Sequence, residues 1–230
     1  MARPATRSVS KASPHHATAV APSTAEKGRS NARAKRSAER RDAILAAALE
    51  EFAARGFAAT RLDDVARRAD VAKGTIYLHF ADKETLFQEL IRQELSPVVG
   101  ALEHLSHADI PIRQIAEQMV EVFAREVFET RRKDVIRLVI TEGPRFPKLA
   151  EFYYREVIAH VMDAIRAMLR RAVERGEIRH EALVRFPQLL AAPGMIAIIW
   201  SGLFDKFEPL DVRALMRAHF DVLFGDGSAT

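Results

Sequence analysis

Between Arg61 and Lys83 the chain gathers side chains suited to holding a polyanion: Arg61, Lys73, Thr75, Tyr77 and Lys83, with Gly74 and the apolar Leu78 among them. Lysine and arginine donate to phosphate oxygens and to the O6 and N7 acceptors of guanine. Hydroxyls donate to phosphates. Bond-making chemistry is supplied poorly by comparison. There is no cysteine, which removes disulfides, thiolate metal sites and thiol nucleophiles. His104, His107, His160, His180 and His219 are scattered, and only His104 and His107 fall at helical spacing, with Glu103 as the one carboxylate on their turn. That is too small a donor set for a metal site. Neither a glycine-rich phosphate loop nor a nucleophile elbow occurs. An enzyme is the weaker reading, no metal or cofactor is expected, and binding is the stronger one.

Charge distribution points the same way. The whole chain carries a formal net charge of +4, but residues 1–41 hold ten Lys/Arg against Glu26 and Glu39, a local net of +8 that leaves −4 for the rest. A basic end on an otherwise ordinary body is suited to a polyanion. Residues 1–38 are rich in Ala, Ser, Pro and basic side chains without an apolar period, which predicts a disordered arm. That stretch also lacks the apolar run of a secretory signal. Together with the missing thiols this leads us to expect a cytoplasmic protein. The uncharged stretch Phe186 to Phe204 approaches the length of a membrane span, but Pro187, Pro193, Gly194 and Gly202 dilute it. It is better read as a helix buried in a core or interface, with no membrane partner.

The elements that must position these side chains are helical throughout. A first helix over about 39–55 presents Ile44, Leu45, Ala48, Leu49 and Phe52 on one face, and Gly56 is suited to ending it in a left-handed conformation. Thr60 is expected to cap a second helix with Leu62, Val65, Ala66 and Ala69 inward. Asp70-Val71-Ala72 makes a tight turn, and Lys73 to Phe80 forms a short third helix anchored by Ile76 and Phe80. Asp82 caps a fourth, with Leu86, Phe87, Leu90 and Ile91 inside. Two short helices joined by a three-residue turn make a helix-turn-helix, whose second helix enters a major groove about 12 Å wide. Beyond about residue 98 the helices lengthen, over 111–130, 147–175, 182–205 and 209–224. The expected fold is all-α: a small helix-turn-helix head (39–98) on a larger helical bundle (99–230).

The run from Thr60 to Phe80, TRLDDVARRADVAKGTIYLHF, followed by Lys83 and Leu86, resembles the DNA-binding domain of the TetR/AcrR family of transcriptional regulators. The resemblance implies that Tyr77 and Lys83 grip phosphates and that Thr60 and Arg61, at the start of the second helix, sit on the backbone. Lys73, Thr75 and Leu78 would face base edges, with Ala72 and Gly74 at the approach and His79 at the edge of the set. Lys73 is the expected reader of guanine. Two positions depart from the family pattern: Asp70 stands where glycine is usual, and Ala72 where a serine or threonine cap is usual.

For residues after 98 the resemblance implies a regulatory domain whose last two helices pair with those of a second subunit. The apolar load agrees: Met195, Ile198, Ile199, Leu203, Leu215, Phe220 and Leu223 are expected at that interface. An effector pocket between helices would draw on Met119, Phe123, Phe128, Arg145, Phe152, Tyr153 and Trp200, with Arg145 either meeting an anionic ligand or pairing with Glu142. The expected partners are double-stranded operator DNA, a second copy of the chain and a small hydrophobic or amphipathic effector. The expected function is a repressor released by that effector. The alternative is a regulator without small-molecule control.

Overall fold

The computed structural model describes residues 24–178 and 181–225. Among them every regular element is helical. The chain divides into two units at Glu39/Arg40. The first helix, α1 (Thr24–Ala59), begins well before residue 39, so the arm expected to be disordered over 1–38 is helical wherever it is described; the helix breaks at Gly56 (φ 75°, ψ 168°), its expected end, and the chain from Gly56 to Arg61 is the α1–α2 loop. Residues 1–23 lie outside the described residues. The physical reason is local. Ala, Arg, Lys and Glu are strong helix formers, and Lys35 and Glu39 pair at i,i+4. Residues 31–40 are exposed all round, so this part of α1 has no core to face and shows no apolar period.

From Arg40 onward the head assembles as its apolar spacing predicts. Ile44, Leu45, Ala48 and Phe52 of α1, Val65 and Ala66 of α2 (Leu62–Arg68), Ile76 of α3 (Lys73–His79), Phe80, and Leu86, Phe87, Leu90 and Ile91 of α4 (Lys83–Ser106) are all buried. The rings of Phe52, Phe57 and Phe87 meet at 5.4–5.6 Å. Each such side chain withdrawn from water contributes about 1.5–3 kcal/mol. The Asp82 side chain accepts from the Thr85 N–H at 2.7 Å, so the expected cap of α4 is present. That bond holds the Asp82 carboxyl below its usual range.

α4 does not stop near residue 98. It runs through Pro97 to Ser106, losing one backbone hydrogen bond at the proline, and belongs to both halves. The remaining elements are α5 (Ile112–Val122), which continues into a π-helical stretch (Phe123–Phe128), α6 (Arg132–Glu142) and α7 (Pro147–Tyr153). A second π-helical stretch (Tyr154–Ile158) then leads into α8 (Ala159–Glu174), α9 (Ala182–Arg185), α10 (Gln188–Leu203) and α11 (Val212–Phe224). Two cores result. The first joins the head to α6 and α7 through Val135, Leu138, Val139, Leu149 and Phe152. The second holds Leu102, Ile115, Met119, Ile165, Leu169, Leu190, Met216 and Phe220.

α10 and α11 divide the expected interface residues. Ile198 and Phe220 are only 2% and 4% exposed and lie in the two cores, because the opposite faces of their helices pack against α6 and α5. Leu215 and Leu223 are half-buried against the second core. Met195, Ile199 and Leu203 stand in solvent, joined by Leu189, Ile196, Phe204, Phe207 and Val222. α11 is held to α5 by a charged seam, in which Arg217 meets Glu117 and Glu121 while Arg213 meets Glu121 and Glu129. No helix among the described residues is long and apolar enough to cross a membrane.

Candidate nucleic-acid interface

The turn between α2 and α3 sets the presentation of α3. Asp70 takes φ 52°, the left-handed conformation that glycine reaches without strain, and Val71 N donates to the Ala66 carbonyl at 3.0 Å. Ala72 precedes α3 in extended geometry and supplies no side-chain cap. Ile76 and Phe80 anchor the inner face, at 0% and 1% exposure, so the outer face is fixed. It carries Lys73, Tyr77 at 48% and Leu78 at 85% exposure, with Thr75 half-buried beside them. Gly74 is exposed, and a β-carbon there would meet nothing within 4 Å. Packing inside the chain therefore does not require glycine at this position. His79 is half-buried and leans on the Phe80 ring.

Two expected contacts are placed differently. Thr60 does not cap α2: it is 2% exposed, Arg61 occupies the cap position without a side-chain bond, and the Thr60 hydroxyl donates to the Gly56 and Glu51 carbonyls at 2.8 and 3.1 Å. The tight α1–α2 loop leaves that hydroxyl backbone acceptors on the inside, and it takes them. Lys83 also turns inward, donating to the carbonyls of Ala58 and Thr60 at 2.9 and 3.0 Å with its ammonium 4.7 Å over the Phe57 ring. Burial lowers its pKa, and the charge of Glu142 partly offsets this. Lys73, the expected reader of guanine, lies on the outer face of α3 and holds Asp63 at 2.8 Å, a bond that raises its pKa.

Beneath the head lies a junction with no local sequence signal. Gly56 has φ 75°, and a β-carbon on it would lie 2.4 Å from Glu142 Oε1. That oxygen accepts the Phe57 N–H at 3.2 Å, while Oε2 is buried without a hydrogen-bond partner. The Phe57 and Phe146 rings meet edge to face at 4.8 Å. The corner between α6 and α7 thus holds the α1–α2 loop, and the loop carbonyls hold Lys83. A second tie runs from Arg131 to Glu50, which also accepts from Arg68.

The seven residues expected to line a pocket are not brought together. Phe152 and Tyr153 lie in the first core, where burial pushes the Tyr153 phenol up to about 12. Met119 lies in the second core. Phe123 fits against Gly194, where a β-carbon would approach its ring to 2.9 Å. Phe128 sits under the Lys133 ammonium, and Trp200 donates to the Glu208 carbonyl at 2.8 Å. Arg145 is exposed, 3.9 Å from Glu142. These residues belong to different helices and to both cores. A shallow cleft of about 160 Å³ lies elsewhere, between Arg113, Glu117, Arg217 and Phe224, below the 300 Å³ or so of a ligand pocket.

A short helix raised into solvent on a packed partner helix, its outer face polar except for one exposed leucine, is the geometry of a helix-turn-helix DNA-binding protein. Residues 44–90 match the model for bacterial regulatory proteins of the tetR family, and residues 112–218 match that of the tetracyclin repressor-like C-terminal domain. The chain belongs to the TetR family of transcriptional regulators. It is 32% identical over 151 residues to the HTH-type transcriptional repressor BepR of Brucella suis biovar 1 (strain 1330), covering 63% of this chain and 71% of BepR. The fold is similar to that of SmeT in its triclosan complex, with TM-score 0.70 and 21% identity over 84% of this chain and 95% of that one. SmeT is the repressor of the Stenotrophomonas maltophilia efflux pump SmeDEF. It is similar also to FadR from Bacillus subtilis in complex with stearoyl-CoA, with TM-score 0.66 and 19% identity over 80% and 97% of the two chains.

Proposed function

We propose that the protein is a homodimeric repressor that holds a palindromic operator and is released by a small hydrophobic or amphipathic molecule. The observation that carries the DNA half of this reading is the outer face of α3, where Lys73, Tyr77 and an 85%-exposed Leu78 surround an unobstructed Gly74. Leu78 has no place in a core, and a thymine methyl gives it one. Tyr77 and Arg61 serve the flanking phosphates, while Lys83 braces the loop between them. The basic stretch before Arg41 adds sequence-independent attraction.

The apolar stripe on α10 supports the dimer. Leu189, Ile196, Ile199 and Leu203 recur at helical spacing and are exposed, with Phe204 and Phe207 beside them, and a contiguous surface of this kind marks an interface. A two-fold partner would place the two α3 helices about 34 Å apart, one turn of duplex. Effector control rests on family membership and on ligands with an apolar part, triclosan and the amphipathic stearoyl-CoA, in structural neighbours. The protein would act in the cytoplasm, where its operator is. Footprinting on the DNA beside its own gene, repeated with a panel of apolar compounds, tests both halves. Two protected half-sites that open with one of the compounds are expected. Protection that no compound relieves would favour a regulator without small-molecule control.

A further inference from the structure

Lys73 and Asp63 form an ion pair on the DNA-facing side of the head, with Nζ 2.8 Å from Oδ2 and side chains 66% and 41% exposed. An exposed pair of this kind adds little to stability, and its carboxylate stands where phosphates must approach. The neighbouring Asp64 is already committed to Arg55 and Arg67, so it does not compete for Lys73. Asp63 Oδ1 is buried without a partner, which leaves Oδ2 as the edge that faces outward with the ammonium. A donor and an acceptor 2.8 Å apart are thus presented side by side, at the first residue of α3 and in the first turn of α2.

One base pair matches that pattern. In the major groove a G·C pair offers the guanine N7 and O6 acceptors and, next to O6, the cytosine amino donor. We propose that Lys73 and Asp63 act as one unit reading a single G·C pair in each half-site, the ammonium donating to guanine and the carboxylate accepting from the cytosine N4 amino group. This rests on α3 entering the groove. On non-cognate duplex the two residues stay paired with each other. Lys73 then adds little to phosphate attraction and Asp63 adds repulsion, so specificity gains twice.

The test uses the full-length protein, an operator selected from a randomised duplex pool, and variants D63A and K73A. Affinities are read for every base-pair substitution in one half-site and for random duplex. In the parent, one G·C position should tolerate substitution only at a cost of about 10- to 100-fold. Both variants should relax that same position to within about threefold, and D63A, which removes acceptor and charge together, should bind random duplex severalfold more tightly. A D63A protein that gained equally on every duplex, or that relaxed a different position from K73A, would overturn the proposal while leaving groove entry standing. A parent protein indifferent to sequence would overturn both.

Discussion

Ala72 enters α3 with φ −63° and ψ 144°, the extended geometry of a cap, yet its methyl accepts nothing. The first amide groups of α3 are left to solvent. Ala72→Ser should raise the melting temperature by about 2–4 °C, from a cap worth about 1 kcal/mol in a chain of this size. A scanning calorimetry trace unchanged by the substitution would show that the helix start is already satisfied. Residue types on the DNA-facing surface were legible in the sequence, but their orientations were not. Lysine at 73 and at 83 is the same side chain with different neighbours: one finds Asp63 across the turn, the other finds two loop carbonyls and the face of Phe57. Nothing at either position in the sequence distinguishes them. Thr60 illustrates the same limit, since a threonine caps a helix only if it stands at the cap position with its oxygen toward the free N–H groups, and here Arg61 holds that position while the Thr60 hydroxyl is turned inward.

Among the elements, the α1–α2 loop depends on α6. Glu142 is 8% exposed and reaches the Phe57 amide from 85 residues away, a distance across which periodicity carries no information. Glu142→Ala leaves that N–H unpaired in a buried setting and should cost about 1–3 kcal/mol of stability. Operator affinity should fall with it as the loop that holds Lys83 loosens. Glu142→Gln keeps an acceptor and gives up only the long 3.9 Å ion pair with the exposed Arg145, so it should stay within about 1 kcal/mol of the parent. Denaturant titration alongside operator binding checks both variants, and equal losses for the two would mean that the charge, not the acceptor, is what matters. The helices themselves were legible wherever one face meets a core. They were not at the start of α1, exposed all round, nor at the π-helical turns 123–128 and 154–158, which shift the register without changing composition. Phe186-Pro187 likewise separates α9 from α10 in what reads as one apolar run.

For the whole molecule, the apolar total of the last two helices was legible, but its division between core and surface was not, because an α10 apolar on every side gives no moment to orient it. The structure assigns Ile198 and Phe220 inward and leaves Ile196, Ile199 and Leu203 outside. Ile196→Glu with Leu203→Glu should therefore yield a folded monomer by sedimentation, with unchanged helicity and much weaker operator binding. A double variant that remains dimeric would move the interface to another face. The claim on which all of this depends is that the exposed face of α3, flanked by cations, docks into duplex DNA. The most direct test is a titration of operator affinity against salt. Neutralisation of several phosphates per subunit predicts a loss of about 10³–10⁵ in affinity between 50 and 200 mM, linear on logarithmic axes. An affinity that stays flat over that range would contradict it.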